Sequence, residues 1–405
     1  MTIGVAILGS TGSIGHSTLD VVARHPDRFH VVALTARRNV EMIFDQCVRF
    51  LPETVAMLDE TSAEILSGRL RKAGLETEVK AGEGGILDIA SGPAETVVNG
   101  IVGAAGLMPV ISAVEAGKRQ LIANKEPLVM LGTYIVDLAR EHGALLLPLD
   151  SEHNAIFQCL PVAETLEKEG SPRIRGEMGV RKIILTGSGG PLRAFPLDKM
   201  HTVDPEQAVA HPNWEMGKKI SVDSATMMNK GLELIEVCCL FGVGHDLVEI
   251  VVHPQSIIHS MVEYLDGSVI AQLGMPDMRI PIANALGWPE RIESGLEGPT
   301  FSEIGALEFE PPDPVRFPAL RLAREAARRG GTAPSVLNAA NEVAVNAFLD
   351  GKLRFDRLVP MVESALEQVS IEDAVDLQRS LDADRRARAC CREMLADGSL
   401  RGRAD

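Results

Sequence analysis

The sequence predicts an α/β protein in three parts: an N-terminal Rossmann-like domain, a central α+β domain and a C-terminal α-helical bundle. The chain opens with a strand, a glycine-rich loop, a helix and a second strand, and short strands then alternate with helices up to residue 149. Polar motifs concentrate between residues 150 and 286, and four amphipathic stretches follow a Pro/Gly-rich segment. We expect the domains at 1–149, 150–286 and 315–405, a linker at 287–314, and bundle helices near 317–329, 334–350, 356–369 and 376–396.

The first strand, Ile3 to Leu8, leads into a loop whose glycines follow the pattern G-x-x-G-x-x-G from Gly9 to Gly15. Residues at helical spacing follow, and 31–34 reads as a second strand. Glycines in this place let the backbone approach a pyrophosphate, whose charge lies at the helix N-terminus. The pattern favours a dinucleotide site over a plain tight turn.

The end of the second strand indicates which dinucleotide. An enzyme for NADH would carry Asp or Glu there to bind the ribose 2′-hydroxyl. This chain instead reads Thr35-Ala36-Arg37-Arg38-Asn39. Because guanidinium groups bind a 2′-phosphate through charge-assisted hydrogen bonds, NADPH is favoured. The alternative is that both arginines are solvated surface.

Further strands are predicted at 55–58, 96–102, 120–123 and 144–149, and helices at 62–73 and up to residue 116. Asn124, Lys125 and Glu126 stand at the carboxyl end of one of these strands, where ligands bind in open α/β sheets. We therefore weigh a cofactor or substrate contact equally with a surface ion pair.

Whole-chain composition narrows the functional class. A formal charge of −16 over 405 residues argues against a nucleic-acid or anionic-membrane partner, although a local basic pocket could still bind a small anion. The six cysteines form no C-x-x-C, which favours reduced structural thiols. No signal segment and no apolar run of roughly 20 residues stand out, so we expect a cytoplasmic protein.

The stretch Asp150-Ser151-Glu152 follows the strand-like run 144–149. In extended backbone, residues i and i+2 share a face, so the two carboxylates could converge while Ser151 points away. Converging carboxylates hold a hard cation, share a proton or mark a solvated turn.

Three later segments carry polar chemistry. Ser188 lies among glycines in T-G-S-G-G-P, which resembles an anion nest more than a nucleophile elbow. The loop 210–219 contains His211 and Trp214 and is either a lid or part of a domain interface. We interpret His253 and His259, in a segment predicted to form hairpin strands (251–277), as structural.

The run 221–236 supplies donors for a phosphate and a third carboxylate. The donors are Ser224, Asn229 and Lys230. Glu233 and Glu236 lie three apart on a predicted helix, and either could complete an oxygen-ligand site with the two earlier carboxylates. Such ligands favour Mg²⁺ or Mn²⁺ over zinc, with Co²⁺ as a further alternative.

These motifs together resemble the 1-deoxy-D-xylulose 5-phosphate reductoisomerase family. They are G-S-T-G-S-I-G at 9–15, A-N-K-E at 123–126, L-D-S-E-H-N-A at 149–155, G-S-G-G-P at 187–191, the block from His211 to Glu233, and V-H-P-Q-S-I-I-H-S-M-V at 252–262. The resemblance runs from the first strand to beyond Arg279. It implies NADPH-dependent, metal-dependent rearrangement and reduction of a phosphorylated deoxyketose, by a homodimer.

The resemblance also implies residue roles. The metal ligands would be Asp150, Glu152 and Glu233, and the catalytic set would be these three with Lys125 and His211. Substrate contacts would come from Lys125, Ser151, Glu152, Ser188, His211, Trp214, Ser224, Asn229, Lys230 and Glu233. Cofactor contacts would come from Thr11, Gly12, Ser13, Ile14, Arg37, Arg38, Asn39, Asn124, Glu126 and Gly217.

One position departs from the family pattern, because Arg37 stands where the family commonly has glycine. Two rival functions share the N-terminal pattern. A semialdehyde dehydrogenase would need a nucleophilic cysteine, for which Cys238 and Cys239 in an apolar helix are the candidates. A non-enzymatic NADPH sensor would have no use for a phosphate clamp beside three carboxylates.

Overall fold

The computed structural model describes residues 2–161, 163–211, 214, 217–373 and 376–397. Within those ranges, no helix combines the length and the apolar character that a membrane crossing requires. The α/β class predicted from the sequence is confirmed, with a parallel sheet first, a smaller mixed sheet next and helices at the end.

Seven strands form the first sheet, and every pairing among them is parallel. They are β1 (Ile3–Leu8), β2 (Phe29–Ala36), β3 (Thr54–Met57), β4 (Glu78–Ala81), β5 (Thr96–Asn99), β6 (Arg119–Ile122) and β7 (Leu145–Pro148). The helices are α1 (Ser13–Arg24), α2 (Val40–Phe50), α3 (Glu60–Lys72), α4 (Gly82–Ala90), α5 (Leu107–Glu115) and α6 (Glu126–His142). The sequence analysis missed β4 and α4, because β4 is a short, partly exposed edge strand with little apolar signal.

The sheet order is β4-β3-β2-β1-β5-β6-β7, so the winding reverses between β1 and β5. Alternate residues of β1 bury on opposite faces: Val5 and Ile7 join one core cluster, and Ala6 and Leu8 join the other. Helices therefore cover both faces, and a crevice opens beyond the carboxyl ends of β1 and β5.

The loop after β1 needs its glycines for two different reasons. Gly9 has a φ of +80°, a conformation that L side chains rarely adopt. A Cβ on Gly15 would lie 2.3 Å from the carbonyl oxygen of Ser10, so only glycine lets α1 begin this close to the loop. The chain thereby brings backbone N–H groups to the crevice.

The central part combines a four-stranded sheet with helices. Its strands are β8 (Val180–Gly187), β9 (Val248–Val252), β10 (Ile258–Tyr264) and β11 (Val269–Leu273), in the order β11-β10-β8-β9. Its helices are α7 (Ser151–Cys159), α8 (Ala163–Glu169), α9 (Pro205–Val209), α10 (Lys218–Thr226), α11 (Met228–Phe241) and α12 (Arg279–Gly287). The hairpin predicted within 251–277 is formed by β10 and β11, whereas β9, which ends at Val252, pairs in parallel with β8.

After α12 the chain forms a short helix, α13 (Phe301–Ile304), and then a bundle of α14 (Pro318–Arg329), α15 (Ala333–Leu349), α16 (Leu358–Gln368) and α17 (Leu377–Ala396). Helix α15 is buried along most of its length and packs against α6, α10, α14, α16 and α17. The bundle is therefore built around α15, and this helix also touches both preceding parts of the chain.

Candidate active site

A cavity of about 790 Å³ lies where the crevice of the parallel sheet meets the central part of the chain. Most of the residues predicted for the site line it: Gly12, Ser13, Ile14, Asn124, Lys125, Glu126, Asp150, Ser151, Glu152, Ser188, His211, Trp214, Gly217, Ser224, Asn229, Lys230 and Glu233. Four predicted cofactor residues, Thr11, Arg37, Arg38 and Asn39, are outside its lining. Segments far apart in sequence thus converge on one space.

The backbone prediction for Asp150-Ser151-Glu152 is wrong. Strand β7 ends at Pro148, Asp150 is the N-cap of α7, and Ser151 begins that helix. Glu152 therefore belongs to the first helical turn, and its carboxylate accepts a 2.5 Å hydrogen bond from the Ser151 hydroxyl. Both carboxylates and the serine line the cavity, so their convergence comes from a helix start and not from strand alternation.

Two lysines hold the carboxylates together. The Lys125 ammonium lies 2.6 Å from Asp150 Oδ2 and 2.9 Å from Glu233 Oε1. The Lys230 ammonium lies 2.6 Å from Glu152 Oε1 and also pairs with Glu233. Glu233 is fully buried and both lysines are nearly so. Buried carboxylates at this density require compensating positive charge.

The environment shifts the protonation of this cluster in opposite directions. Burial raises the pKa of the Asp150 carboxyl, and the nearby Lys125 only partly opposes that rise. Burial alone would also raise the pKa of Glu152, but Lys230 and the Ser151 hydroxyl hold it well below its usual range. Burial would lower the pKa of Lys125, yet the surrounding carboxylates raise it well above its ordinary value. Lys125 is therefore a permanent cation and a hydrogen-bond donor.

The donor set suits a divalent cation. Ligand atoms of Asp150, His153 and Glu233 all lie within 4.8 Å of one another. Two carboxylates in a buried pocket are typical of Mg²⁺ and Mn²⁺ sites. Glu152, the remaining predicted ligand, is outside that group because its carboxylate is turned towards Lys230 and Ser151. The residues present therefore fit a metal, and Glu152 would have to exchange its lysine partner for the ion.

The sequence pattern left open whether Glu233 or Glu236 is the third candidate metal ligand, and their positions on α11 distinguish them. Glu233 lines the cavity, whereas Glu236 lies behind it, with Oε2 3.3 Å from the Nε2 of His153. Burial raises the pKa of Glu236 far above its usual value, and burial lowers the pKa of His153 to about 3. Both shifts favour the uncharged forms of these two side chains, which lie beneath the charged cluster.

The loop after β8, for which the sequence predicts an anion nest, lies against α10. Gly189 and Gly190 have φ of +81° and +70°, and Gly190 N–H donates to the Ser188 hydroxyl at 3.1 Å. A Cβ on Gly190 would lie 2.4 Å from the Ser224 carbonyl oxygen, so glycine is what lets the loop approach α10. Ser188 and Ser224 both line the cavity. Hydroxyl and backbone donors in this arrangement suit an oxyanion such as phosphate.

The predicted phosphate donors on α11 have other partners in this structure. Asn229 donates from Nδ2 to Glu233 Oε1 at 2.6 Å, and Lys230 pairs with two carboxylates. Helices α10 and α11 meet at Met227, which has a left-handed backbone with φ of 60°. This break, which the sequence pattern did not reveal, places Ser224 and Asn229 at adjacent helix ends on the same cavity wall.

The predicted lid is described only in part. Pro212, Asn213, Glu215 and Met216 lie outside the described residues. His211 Nε2 lies 2.9 Å from the Ser188 hydroxyl, and its Nδ1 accepts from Trp214 N–H at 3.0 Å. The Trp214 ring lies 6.0 Å from the ring of His259. Trp214 thus faces the cavity, while the closing motion remains a prediction.

Sequence reasoning missed several residues that line the cavity. His259 was interpreted as structural, yet it contacts the Trp214 ring at the cavity wall. His253 stacks on Phe309 with ring centroids 4.9 Å apart, in agreement with a structural role. Lys219 and Asp223 also line the cavity and were not singled out. The only sequence signal that could have identified these residues is the polar character of the segments in which they lie.

The other end of the cavity has the chemistry of a dinucleotide site. It is formed by the loop after β1, by Gly100 and Val102 after β5, and by Asn124 after β6. The side-chain amide of Asn124 is buried, and neither of its polar atoms has a hydrogen-bond partner among the described residues. An orphaned amide facing a cavity fits a ligand that supplies both a donor and an acceptor.

The arginines after β2 lie exposed beside this end. Arg38 pairs with Asp59 at 3.2 Å, and Asn39 is the N-cap of α2. Thr35, at the end of β2, is tied to the glycine loop, since its hydroxyl accepts from Gly9 N–H at 2.9 Å. The end of β2 is therefore joined to the loop, and neither Arg37 nor Arg38 lines the cavity. An exposed ion pair is weak enough to be replaced by a phosphate contact.

Comparison with known proteins agrees with this geometry. A family model for 1-deoxy-D-xylulose 5-phosphate reductoisomerase matches residues 5–132, and models for C-terminal domains of the same enzyme match 146–241 and 273–390. The reductoisomerase of Nitrosomonas eutropha is 56% identical, covering 96% of this chain and 93% of its own length. That of Pseudomonas syringae pv. syringae is 54% identical, covering 95% and 96%.

Solved structures give the same result. A DOX-P reductoisomerase in complex with NADPH, fosmidomycin and magnesium is 43% identical, with a TM-score of 0.92, over 97% of this chain and 98% of that one. The Zymomonas mobilis enzyme in complex with NADPH is 45% identical, with a TM-score of 0.89, over 98% and 99%. The fold, the site and these relatives define an NADPH-dependent oxidoreductase. The chain belongs to the 1-deoxy-D-xylulose 5-phosphate reductoisomerase family.

Proposed function

We propose that this protein converts 1-deoxy-D-xylulose 5-phosphate into 2-C-methyl-D-erythritol 4-phosphate, using NADPH and a divalent metal, in non-mevalonate isoprenoid precursor synthesis. The observation that carries the proposal is the convergence of three features in one cavity. The glycine-rich loop after β1, the buried carboxylate cluster and the serine and glycine loop after β8 all line it. A phosphorylated α-hydroxy ketone needs each of them: a hydride source, charge stabilisation at its oxygens, and a clamp for its phosphate.

Metal binding is assigned to Asp150, Glu152 and Glu233. Asp150 and Glu233 already have ligand atoms close together, and His153 is a neutral neighbour of both. When bound, a divalent cation would stabilise negative charge on the ketone and hydroxyl oxygens of the substrate. Mg²⁺ suits the carboxylate set, and Mn²⁺ and Co²⁺ suit the same ligands.

Cofactor binding is assigned to the loop Thr11–Ile14, to Arg37, Arg38 and Asn39 after β2, and to Asn124, Glu126 and Gly217. The buried, unpartnered Asn124 amide supports this assignment, as does the place of the loop at the reversal of the sheet. Arg37 and Arg38 are exposed, and their guanidinium groups would contact the 2′-phosphate. When bound, NADPH would supply the hydride that reduces the rearranged aldehyde.

Substrate binding is assigned to the residues around the nest and the cluster. Ser188, Ser224, Asn229 and Lys230 would hold the phosphate and nearby hydroxyls, and Ser151 would contact the sugar chain. Lys125 stays protonated beside Asp150, so it can donate a hydrogen bond to a substrate oxygen that gains negative charge. His211 and Trp214 would close over the substrate and exclude water. Remote binding at the phosphate would orient the reacting carbons.

The rival with a cysteine nucleophile is not supported. Burial raises the pKa of the Cys238 thiol to about 12 and that of the Cys239 thiol to about 12. Neither residue lines the cavity. A thiol in such surroundings stays protonated and is a poor nucleophile.

The assay for the proposed function follows NADPH absorbance with 1-deoxy-D-xylulose 5-phosphate, with and without Mg²⁺ or Mn²⁺. We expect oxidation of NADPH and formation of the methylerythritol phosphate only when metal is present. No turnover with either metal would refute the proposed function. Equal turnover in EDTA would refute only the metal requirement.

We also propose that the protein is a cytoplasmic homodimer, with segments 1–149, 150–286 and 315–405 as its domains and 287–314 as their linker. Strand β11 is the edge of the mixed sheet, and Val269 and Ile270 on it are about half exposed. Edge strands with exposed apolar residues favour pairing with a second copy. Light scattering tests this: we expect twice the monomer mass, and a lower mass for Ile270→Lys.

A further inference from the structure

The bundle helix α15 reaches both walls of the cavity through two adjacent residues. Asn341 is buried, and its side chain points to α10 of the central part. Glu342 is the next residue of the helix, and its carboxylate accepts a hydrogen bond from the loop that follows β5 of the parallel sheet. No sequence pattern or family resemblance assigned either residue a role. Because α15 is buried along most of its length, it is a firm base for both contacts.

The first contact ends a chain of charged side chains in the cavity wall. Asn341 Nδ2 donates to Asp223 Oδ1 at 2.7 Å. Asp223 Oδ2 lies 2.8 Å from the Lys219 ammonium, which in turn lies 2.9 Å from Glu126 Oε1. Lys219 and Asp223 are both on α10, directly after Gly217 at the end of the candidate lid. Asn341 thus fixes the helix from which the lid extends.

The second contact orders the loop that faces the dinucleotide end. Glu342 Oε1 accepts from Ala104 N–H at 3.0 Å, and Oε2 accepts from Arg388 at 2.7 Å. Arg388 is itself held by both oxygens of Asp384, at 2.7 and 2.9 Å. Two residues before this contact, Val102 lines the cavity. The carboxylate of Glu342 therefore ties the loop 100–106 to the bundle through a charge-assisted hydrogen bond.

We propose that Asn341 and Glu342 are positioning residues, Asn341 for the lid-bearing helix on the substrate side and Glu342 for the loop on the NADPH side. This inference rests on the proposed function, because it links the Asn341 contact to binding of the substrate and the Glu342 contact to binding of NADPH. The two residues neither touch the reacting atoms nor line the cavity. They act by holding α10 and the loop 100–106 in the positions that the ligands need.

The test crosses two variants with two readouts. Glu342→Ala should raise the Kd of NADPH about tenfold with little change in KM for the deoxyxylulose phosphate, as expected when one charge-assisted hydrogen bond that orders a loop is lost. Asn341→Leu should raise that KM by a similar factor and leave the Kd of NADPH unchanged. Amide hydrogen exchange should speed up at 100–106 in the first variant and at 218–226 in the second.

Conservative and matched variants separate positioning from general stability. Glu342→Gln keeps an oxygen that accepts from Ala104 N–H, so we expect a Kd for NADPH close to that of the unaltered protein. Asn346→Leu, on the exposed side of the same helix, and Glu367→Ala, at an exposed position of α16, should change neither readout. The unfolding midpoint of each variant is measured as well, so that a change in binding can be distinguished from a loss of stability.

The outcomes distinguish the two proposals. If the unaltered protein fails to bind NADPH, the proposed function fails, while the exchange pattern still decides the positioning roles. The positioning inference is overturned if both variants speed up hydrogen exchange equally at 100–106 and 218–226, or if neither variant speeds it up at either segment. A Glu342→Gln variant as impaired as Glu342→Ala would also overturn the role assigned to the Ala104 contact. Should Glu342→Ala not fold, Arg388→Met, which loosens the same carboxylate, replaces it with the same expectations.

Discussion

The Lys125 ammonium lies 2.6 Å from Asp150 Oδ2, in a pocket that exposes only 8% and 14% of the two side chains. The lysine is the N-cap of α6 and the aspartate is the N-cap of α7, so the contact joins two neighbouring strand ends of the parallel sheet. The same ammonium contacts Glu233 on α11. Positive charge in this pocket is therefore supplied by the protein itself before any cation binds.

Replacing Lys125 with methionine should reduce turnover by about 100-fold or more, because a preorganised donor is lost. It should also lower stability in EDTA by about 3 kcal/mol, because carboxylates are left buried without their partner. Mg²⁺ should then stabilise the variant more than the unaltered protein, since the ion replaces the missing charge. Thermal unfolding with and without Mg²⁺ measures this. Lys352→Met, which removes the lysine of an exposed ion pair, is the control. The prediction is contradicted if Mg²⁺ stabilises Lys125→Met and the unaltered protein equally.

Glu152 is the assigned metal ligand that the structure turns away from the others. We expect Glu152→Gln and Glu233→Gln each to weaken Mn²⁺ binding at least tenfold, a loss of about the size seen even for outer-shell partners. Titration with Mn²⁺, followed by electron paramagnetic resonance, measures this without turnover. Glu249→Gln, at an exposed pair, serves as the control. If Glu152→Gln binds normally while His153→Gln does not, the ligands are Asp150, His153 and Glu233 instead.

The nest depends on the close approach of Gly190 to α10. Gly190→Ala combines a left-handed backbone with a Cβ 2.4 Å from the Ser224 carbonyl oxygen, so we expect a loss of about 3 kcal/mol or more in the free energy of unfolding. Gly267 has a similar φ of +86° but no atom within 4 Å of its Cβ position. Gly267→Ala should lose only about 1 kcal/mol. Urea unfolding compares the two, and equal losses would show that the contact with α10 is unimportant.

Arg38 should discriminate between the two nicotinamide cofactors. Arg38→Ala removes a guanidinium suited to the 2′-phosphate, so the Kd of NADPH should rise about tenfold while that of NADH stays the same. Fluorescence titration of each cofactor measures this. Arg71→Ala, at an exposed position on α3, should change neither value. A parallel loss of both affinities would assign Arg38 to folding of the loop instead.

Local patterns were sufficient for much of the fold. The glycine loop, the alternation of strands and helices, and the bundle helices are short-range signals, because side-chain periodicity and glycine geometry are set within a few residues. Strand β4 escaped because its sequence is polar and its place is at an edge. The parallel pairing of β9 with β8 escaped because partners separated by about 60 residues leave no mark on each other's sequence.

The sequence by itself determined which residues could carry the chemistry: paired carboxylates, a serine among glycines, and arginines after the second strand. Only the tertiary structure decided how they act together. It placed Asp150 and Glu152 at the start of a helix, put Glu233 at the cavity and Glu236 behind it, and joined Asn341 to Asp223. The reason is physical. Residue type fixes charge and donor capacity, whereas burial and partners, which set pKa and orientation, come from segments that meet only in the folded chain.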